Sequence, residues 1–275
     1  MTIIDSHFHC WQPARGDYGW LTPALGTLHR DVHVADWQAQ AQPHGVTGGV
    51  LVQAAPTEAE TEFLLDQADA HAAVLGVVGW VDLLAADAPQ RIARLARRTK
   101  LKGLRPMLQD IADPDWILQP ALDPAIAAMV EHGLVFDALV RPLHLARIVA
   151  LARRHRALHI VVDHGAKPAI AQGEWQPWAD ALTRVAAETS ADCKLSGLLT
   201  EAGPAPAPDA ARRWGAHLLA CFGTRRVLWG SDWPVLELAG DYAGWWREVE
   251  TLLAPYPESE RAAVLGGNAR RAYRL

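Results

Sequence analysis

The sequence predicts an α/β fold, a single (β/α)8 barrel of the TIM type. Three observations predict it: short apolar runs recur along the whole chain, helical spacing separates them, and the first run is not followed by a glycine-rich turn. Buried parallel strands read as runs of Val, Ile, Leu and Gly without strict alternation. Strand and helix alternating from end to end favour a parallel barrel. The competing doubly wound sheet would place a phosphate-binding glycine turn after its first strand. This chain has HFHCWQP there.

The first strand is expected at residues 2–5 (TIID), with His7 and His9 just past it. Segment 11–45 follows without an obvious strand and carries Trp11, Tyr18, Trp20, His29, His33 and Trp37. It reads as a long loop, and long loops on compact barrels often hold substrate-contacting groups. Strands follow at 48–54, 74–80, 101–105, 134–140, 158–163, 193–197 and 226–231. Helical spacing marks 57–72, 88–98, 123–132, 142–154, 177–189, 208–221 and 241–253. In 142–154, Leu145, Ile148, Val149 and Leu151 recur at three- and four-residue steps among arginines, the stripe of a half-buried helix. The proline-rich stretch 203–209 reads as a surface loop.

The 275 residues, 50% of them hydrophobic, suffice for a sizeable core. That length fits one barrel, so residues 1–275 are expected to form a single domain. A net charge of -5 excludes a general attraction to nucleic acid or anionic lipid. Cys10, Cys193 and Cys221 are too few and too scattered for a disulfide framework or a cysteine-rich zinc site. Neither a signal-peptide pattern nor an apolar run of membrane-spanning length is visible. The expected setting is the cytoplasm, away from membranes; homo-oligomerisation stays open.

The chemistry lies at predicted strand ends. His7 and His9 are two apart, so an extended chain points both to the same side. An H-x-H pair is a weak signal by itself; the preceding Asp5 and the strand-end position strengthen it. His164 follows the sixth strand and, taken alone, reads as a hydrogen-bonded core histidine. Asp232 follows the eighth strand between Trp229 and Trp233 and could merely cap a helix or pair with an arginine. Together, however, these groups converge on the carboxyl-end face, where barrel enzymes place their active sites. Three imidazoles and a carboxylate suit one divalent ion such as zinc. Such an ion lowers the pKa of water to about 7, and Asp232 could take and return the proton.

With these residues in place, the chain resembles the amidohydrolase superfamily, and within it the sugar-lactonase branch. That branch includes L-fuconolactonase, L-rhamnonolactonase and 2-pyrone-4,6-dicarboxylate lactonase. The matching motifs span nearly the whole chain: DSHFHCW (5–11), VQA (52–54), GWVDL (79–83) and KLKGLRPMLQ (100–109). VVDHGAKP (161–168), KLSGLLTEA (194–202), WGSDWPV (229–235) and GGNARRAY (266–273) complete them. The resemblance implies hydrolysis of a sugar-acid lactone, L-fucono-like, with catalytic and metal roles for His7, His9, His164 and Asp232. Binuclear members of the superfamily carry a bridging residue after the fourth strand and a histidine after the fifth. Here Arg105 and Asp137 stand at those strands, so at most one metal, zinc, is expected, and metal-independent catalysis stays open.

Arg105 is the foremost candidate for substrate binding, because a guanidinium can hold a carboxylate or two hydroxyls at once. Gln53, Lys194 and Lys167 are further candidates. The chain has 12 Trp against 4 Phe and 4 Tyr, and most should pack helices on strands. Trp11, Trp80 and Trp233, at strand ends, are expected to wall the pocket, with His33 and Tyr18 as weaker contacts. Two other functions compete: a metal-dependent decarboxylase on the same barrel, separable by assaying carbon dioxide, and a non-catalytic binding module. The latter has no need for His7, His9, His164 and Asp232 together.

Overall fold

The computed structural model of the protein describes residues 2–207 and 209–275. Met1 and Pro208 lie outside them, so the proline-rich loop is described only in part. Among the described residues, the strands are β1 (Ile3–Phe8), β2 (Val46–Val52), β3 (Val74–Gly79) and β4 (Leu101–Leu104), then β5 (Val135–Ala138), β6 (Ile160–Val162), β7 (Asp192–Leu195) and β8 (Val227–Trp229). All eight pair in sequence order, each parallel to the next. The ring closes just past β8, where the Asp232 amide donates to His7 O at 2.8 Å and the His9 amide to Trp233 O at 2.8 Å.

The helices are α1 (Val34–Ala41), α2 (Glu58–Ala70), α3 (Ala88–Leu95), α4 (Asp123–Glu131), α5 (Leu145–Arg154) and α6 (Trp175–Glu188). They continue with α7 (Leu198–Glu201), α8 (Arg212–Phe222), α9 (Tyr242–Leu253), α10 (Glu258–Ala262) and α11 (Asn268–Tyr273). The apolar stripe read from Leu145, Ile148, Val149 and Leu151 is buried on α5 as its spacing requires. Thr57 caps α2 by accepting the Glu60 amide at 3.0 Å, which satisfies one free N–H of the first turn.

Two layers of apolar packing result. The larger one lies between strands and helices and includes Phe8 stacked on Trp37, their rings 3.9 Å apart. The smaller fills the barrel's interior with Ile4, Val50, Val135, Val161 and Leu228, closed off by Ala269, Ala272 and Tyr273 of α11. Two sequence expectations change here. The segment read as one long loop contains α1, and β1 runs three residues further than Asp5, so His7 lies inside the strand.

Candidate active site

The pairing of β1 with β2 slips between Asp5 and Phe8. Such a bulge breaks the two-residue alternation. Asp5 therefore faces the surrounding helices, accepting from Trp37 Nε1 at 2.9 Å and Tyr242 Oη at 3.1 Å. It also accepts the Ser231 amide at 2.8 Å, tying β1 to the segment after β8. Burial raises its pKa. Asp5 thus braces the seam, while His7 and His9 both reach the interior, with their Nε2 atoms 3.2 Å apart.

Asp232 arrives from the far side of that seam. Its Oδ1 lies 3.3 Å from His9 Nε2, 3.6 Å from His7 Nε2 and 3.8 Å from His164 Nε2. Burial raises the Asp232 pKa, but His164, His9 and His7 outweigh it and hold the carboxyl well below its ordinary range. His164 is pushed down to about 4, chiefly by burial, with Asp232 opposing. Asp232 and His164 both hold left-handed backbones, at φ 58 and 53 degrees. Such residues cost of order 1–3 kcal/mol and persist where the surroundings impose them. Gly197 makes room: at its φ of +65 degrees, a Cβ would sit 2.6 Å from His164 Nδ1.

Each imidazole is aimed by its second nitrogen. His9 Nδ1 donates to Val52 O at 2.7 Å, leaving the Nε2 lone pair for the site. His164 Nδ1 meets Ser196 Oγ at 2.9 Å. His7 Nδ1 meets Lys194 Nζ at 3.1 Å, and Arg105 Nη1 approaches its Nε2 at 3.4 Å. Burial, then Lys194, drives the His7 pKa well below its usual value.

Behind His7 lies a buried charge cluster. Lys194 Nζ pairs with Asp137 Oδ2 at 2.5 Å and Asp163 Oδ1 at 2.9 Å. Arg105 Nη1 pairs with Asp163 Oδ2 at 3.2 Å. Tyr273 Oη donates to Asp137 at 2.8 Å. Asp137 is pushed up to about 6 by burial, against Lys194. Asp163 goes the other way: burial is outweighed by Lys194 and His7, and its pKa falls.

A cavity of about 300 Å³ opens on His9, His164 and Asp232, and is lined also by Arg105 and Trp20 among others. That volume suits a small-molecule site. The buried Nε of Arg105 has no hydrogen-bond partner among the described residues. Gln53 lies behind Arg105, donating from Nε2 to its carbonyl at 2.7 Å. Lys167 lines the cavity and pairs with Glu201 at 3.2 Å.

Several candidates lie elsewhere. Lys194 is fully buried beneath His7, outside the cavity lining. Trp11 is buried with its indole donating to Leu28 O at 3.2 Å and Arg30 O at 3.1 Å. Trp233 is buried and donates to Glu237 at 2.8 Å. Trp80 lines a neighbouring cavity that shares Met107 and Asp110 with the first. Tyr18 is buried beside Glu60, and His33 is exposed ahead of α1.

Sequence reasoning named Trp20 only within the long first loop, and passed over Met107, Gln109, Leu139 and Val235, which line the cavity, and Asp163, Ser196 and Glu60 behind it. Some signals were available. Asp163 precedes His164 directly, and Thr57-x-x-Glu60 has the spacing of a capping box.

The donor set fits one divalent cation. Ligand atoms of His7, His9 and Asp232 lie within 4.8 Å of one another, all buried, and His164 joins them through Asp232. The second group, His7, Asp163 and His164, is less suited, because Lys194 and Arg105 already neutralise Asp163.

A closed parallel barrel with imidazoles and a carboxylate at its strands' carboxyl ends has the architecture of a barrel enzyme. The family model described as Amidohydrolase matches residues 4–275, and the chain belongs to that family. It is 47% identical to an L-fucono-1,5-lactonase of Burkholderia ambifaria, over 99% of this chain and 95% of that one. It is 36% identical to an L-fucono-1,5-lactonase of Burkholderia multivorans, over 99% of this chain and 96% of that one. Among solved structures, an amidohydrolase from Burkholderia multivorans with bound zinc matches at a TM-score of 0.93 and 35% identity, covering 100% of both chains.

Proposed function

We infer that the protein is a lactonase, a carboxylic ester hydrolase that opens a small sugar-acid lactone of the L-fucono type. Residues 1–275 act as one barrel domain in this reading. The observation that carries it is Asp232 Oδ1 on the lining of a small cavity, within 3.3–3.8 Å of the imidazoles of His7, His9 and His164. The two L-fucono-1,5-lactonase relatives supply the substrate class.

Ring opening needs a proton taken from water and a proton given to the departing alkoxide. Asp232, ionised across the neutral range, receives the first and returns it. His9 and His164 surround its Oδ1, with their Nε2 atoms 3.3 and 3.8 Å away. Arg105 lines the cavity where a substrate oxygen would lie, and Nη1 and Nη2 hold it in place against Asp163 and Gln53. At most one metal, zinc, would be held by His7, His9, His164 and Asp232. When bound, such an ion supplies carbonyl polarisation and acidifies water.

No helix among the described residues is long and apolar enough to cross a membrane. The three cysteines are free, in keeping with a cytoplasmic setting.

A pH-indicator screen of aldonolactones, with and without chelator, tests this reading. Acid release from a 1,5-lactone is expected; carbon dioxide release from a carboxylated substrate instead would move the protein to the decarboxylases. Asp232→Asn keeps the shape and removes the basicity. Its kcat should fall by about 100-fold or more while the lactone still binds. Turnover within a fewfold of wild type would place the base elsewhere.

A further inference from the structure

Glu60 is fully buried in the first turn of α2, and the hydrolysis above does not use it. Its carboxylate does not cap its own helix, since Thr57 does. Instead it reaches back along the chain. Oε1 and Oε2 accept the Ala54 amide at 2.9 and 3.1 Å, and Oε2 also accepts the Ala55 amide at 2.7 Å.

Those amides belong to the backbone strip that leaves β2 along the cavity, and two substrate-side groups hang from that strip. Ala54 O accepts the Trp20 indole N–H at 2.7 Å. Gln53 O accepts Arg105 Nη2, and Gln53 Nε2 donates to Arg105 O at 2.7 Å. Trp20 is 38% exposed, yet it lines the cavity and meets Trp11 edge-on at 5.4 Å. A tryptophan with its N–H satisfied and much of its ring uncovered contributes little to the core. It offers a flat apolar surface to the C–H groups of a sugar ring.

We propose that Glu60 is a positioning residue for substrate binding, fixing Trp20 and Arg105 against the lactone through the backbone of residues 53–55. The proposal rests on the lactonase reading. Glu60 touches no substrate; it decides where the indole face and the guanidinium stand relative to each other.

The groups facing Glu60 are Tyr18 of the β1–α1 loop and Arg105 at the end of β4. In the same loop Arg15 pairs with Asp17 at 2.7 Å, and Asp17 accepts from Thr57 Oγ1 at 3.2 Å. Burial pushes Glu60 up to about 7, against the pull of the two amides and Arg105. The clamp is thus a full acceptor above that pH and loses acceptor capacity as it protonates. Substrate grip should strengthen as pH rises through about 7.

Stability runs the opposite way. A carboxyl whose folded pKa is raised contributes most below its unfolded value, and that contribution is lost as pH climbs through the folded value. Gln at this position removes both trends. Its NH2 would also oppose one backbone N–H, leaving that amide unpaired. Asp137 sits behind His7, paired with Lys194, rather than on the strip.

The test is kcat and KM for an aldono-1,5-lactone across neutral pH, in wild type, Glu60→Gln and Trp20→Phe. Wild-type KM should fall severalfold as pH rises. In Glu60→Gln, KM should be about tenfold higher at pH 8, as for a lost charge-assisted bond, and flat with pH, with kcat little changed. Trp20→Phe keeps a ring but drops the bond to Ala54 O, and KM should rise about threefold. A Glu60→Gln enzyme with wild-type KM and pH profile overturns the proposal. If that variant does not fold, a flat wild-type KM profile together with an unchanged KM in Trp20→Phe overturns it. If wild type opens no aldonolactone, the lactonase reading fails, and with it the role assigned here. The pH trend in thermal stability of wild type against Glu60→Gln then reports on the buried carboxyl alone.

Discussion

Two depths of the same barrel are lined by opposite chemistry. Lower down, the strands turn Ile4, Val50, Val135, Val161 and Leu228 inward against α11. Higher up, the same strands or the residues just after them present His7, Gln53, Asp137, Asp163 and Asp232. The lower layer is a sum of small, non-directional contacts. The upper one is a set of matched charges, in which Lys194 and Arg105 balance Asp137 and Asp163. The two layers should therefore fail differently. Apolar packing degrades by degrees, whereas removing one member of a buried ion cluster leaves its partners charged and dry.

Lys194→Met should bring that contrast out most strongly. It leaves Asp137 and Asp163 short of a cation, at a cost of about 3–5 kcal/mol, measurable by urea unfolding. Adding Asp137→Asn should restore part of the loss; a double variant no more stable than the single would mean the pair is not what holds this layer. Arg105→Ala comes next. A lost charge-assisted bond costs about 1.5–3 kcal/mol, roughly tenfold to a hundredfold in kcat/KM. Unchanged kcat/KM in the folded variant would remove Arg105 from the substrate side. Ile4→Val, in the lower layer, should cost only about 0.5–1.5 kcal/mol and leave kcat/KM at the wild-type value. A large loss of activity there would show that the layers are not separable.

The same contrast explains what could be read from the sequence. Most strands were legible because their lower halves are apolar, although β7 starts on Asp192. The polar upper halves hide strand ends, which is why β1 was expected to stop at Asp5 although it carries His7. His7, His9, His164 and Asp232 could be picked out because they stand within a few residues of the ends of apolar runs. Depth and direction could not. Lys194 looked free to face a substrate, but β7 holds it beneath His7. Asp5 looked like a companion of the histidines, but the slip in β1 turns it outward. Nothing local distinguishes Trp20, on the cavity, from Trp11 and Trp233, which are packed away; that depends on where the loop lands on Ala54. Helix α1 was hidden inside a segment judged by its lack of strands.

The seam between β1 and β8 has a consequence for how the molecule comes into being. Asp5 and Ser231 are 226 residues apart in sequence, yet their hydrogen bond helps align the histidines of one edge with Asp232 of the other. A half-built barrel has no partial site, because its two edges hold different parts of it. Fragments ending before β8 should be inert even when their strands are paired, and an intermediate with an open seam should hold no assembled cluster to trap stray ions. Hydrolytic activity is then an all-or-none report of closure, usable as a refolding clock that starts only when the last joint is made.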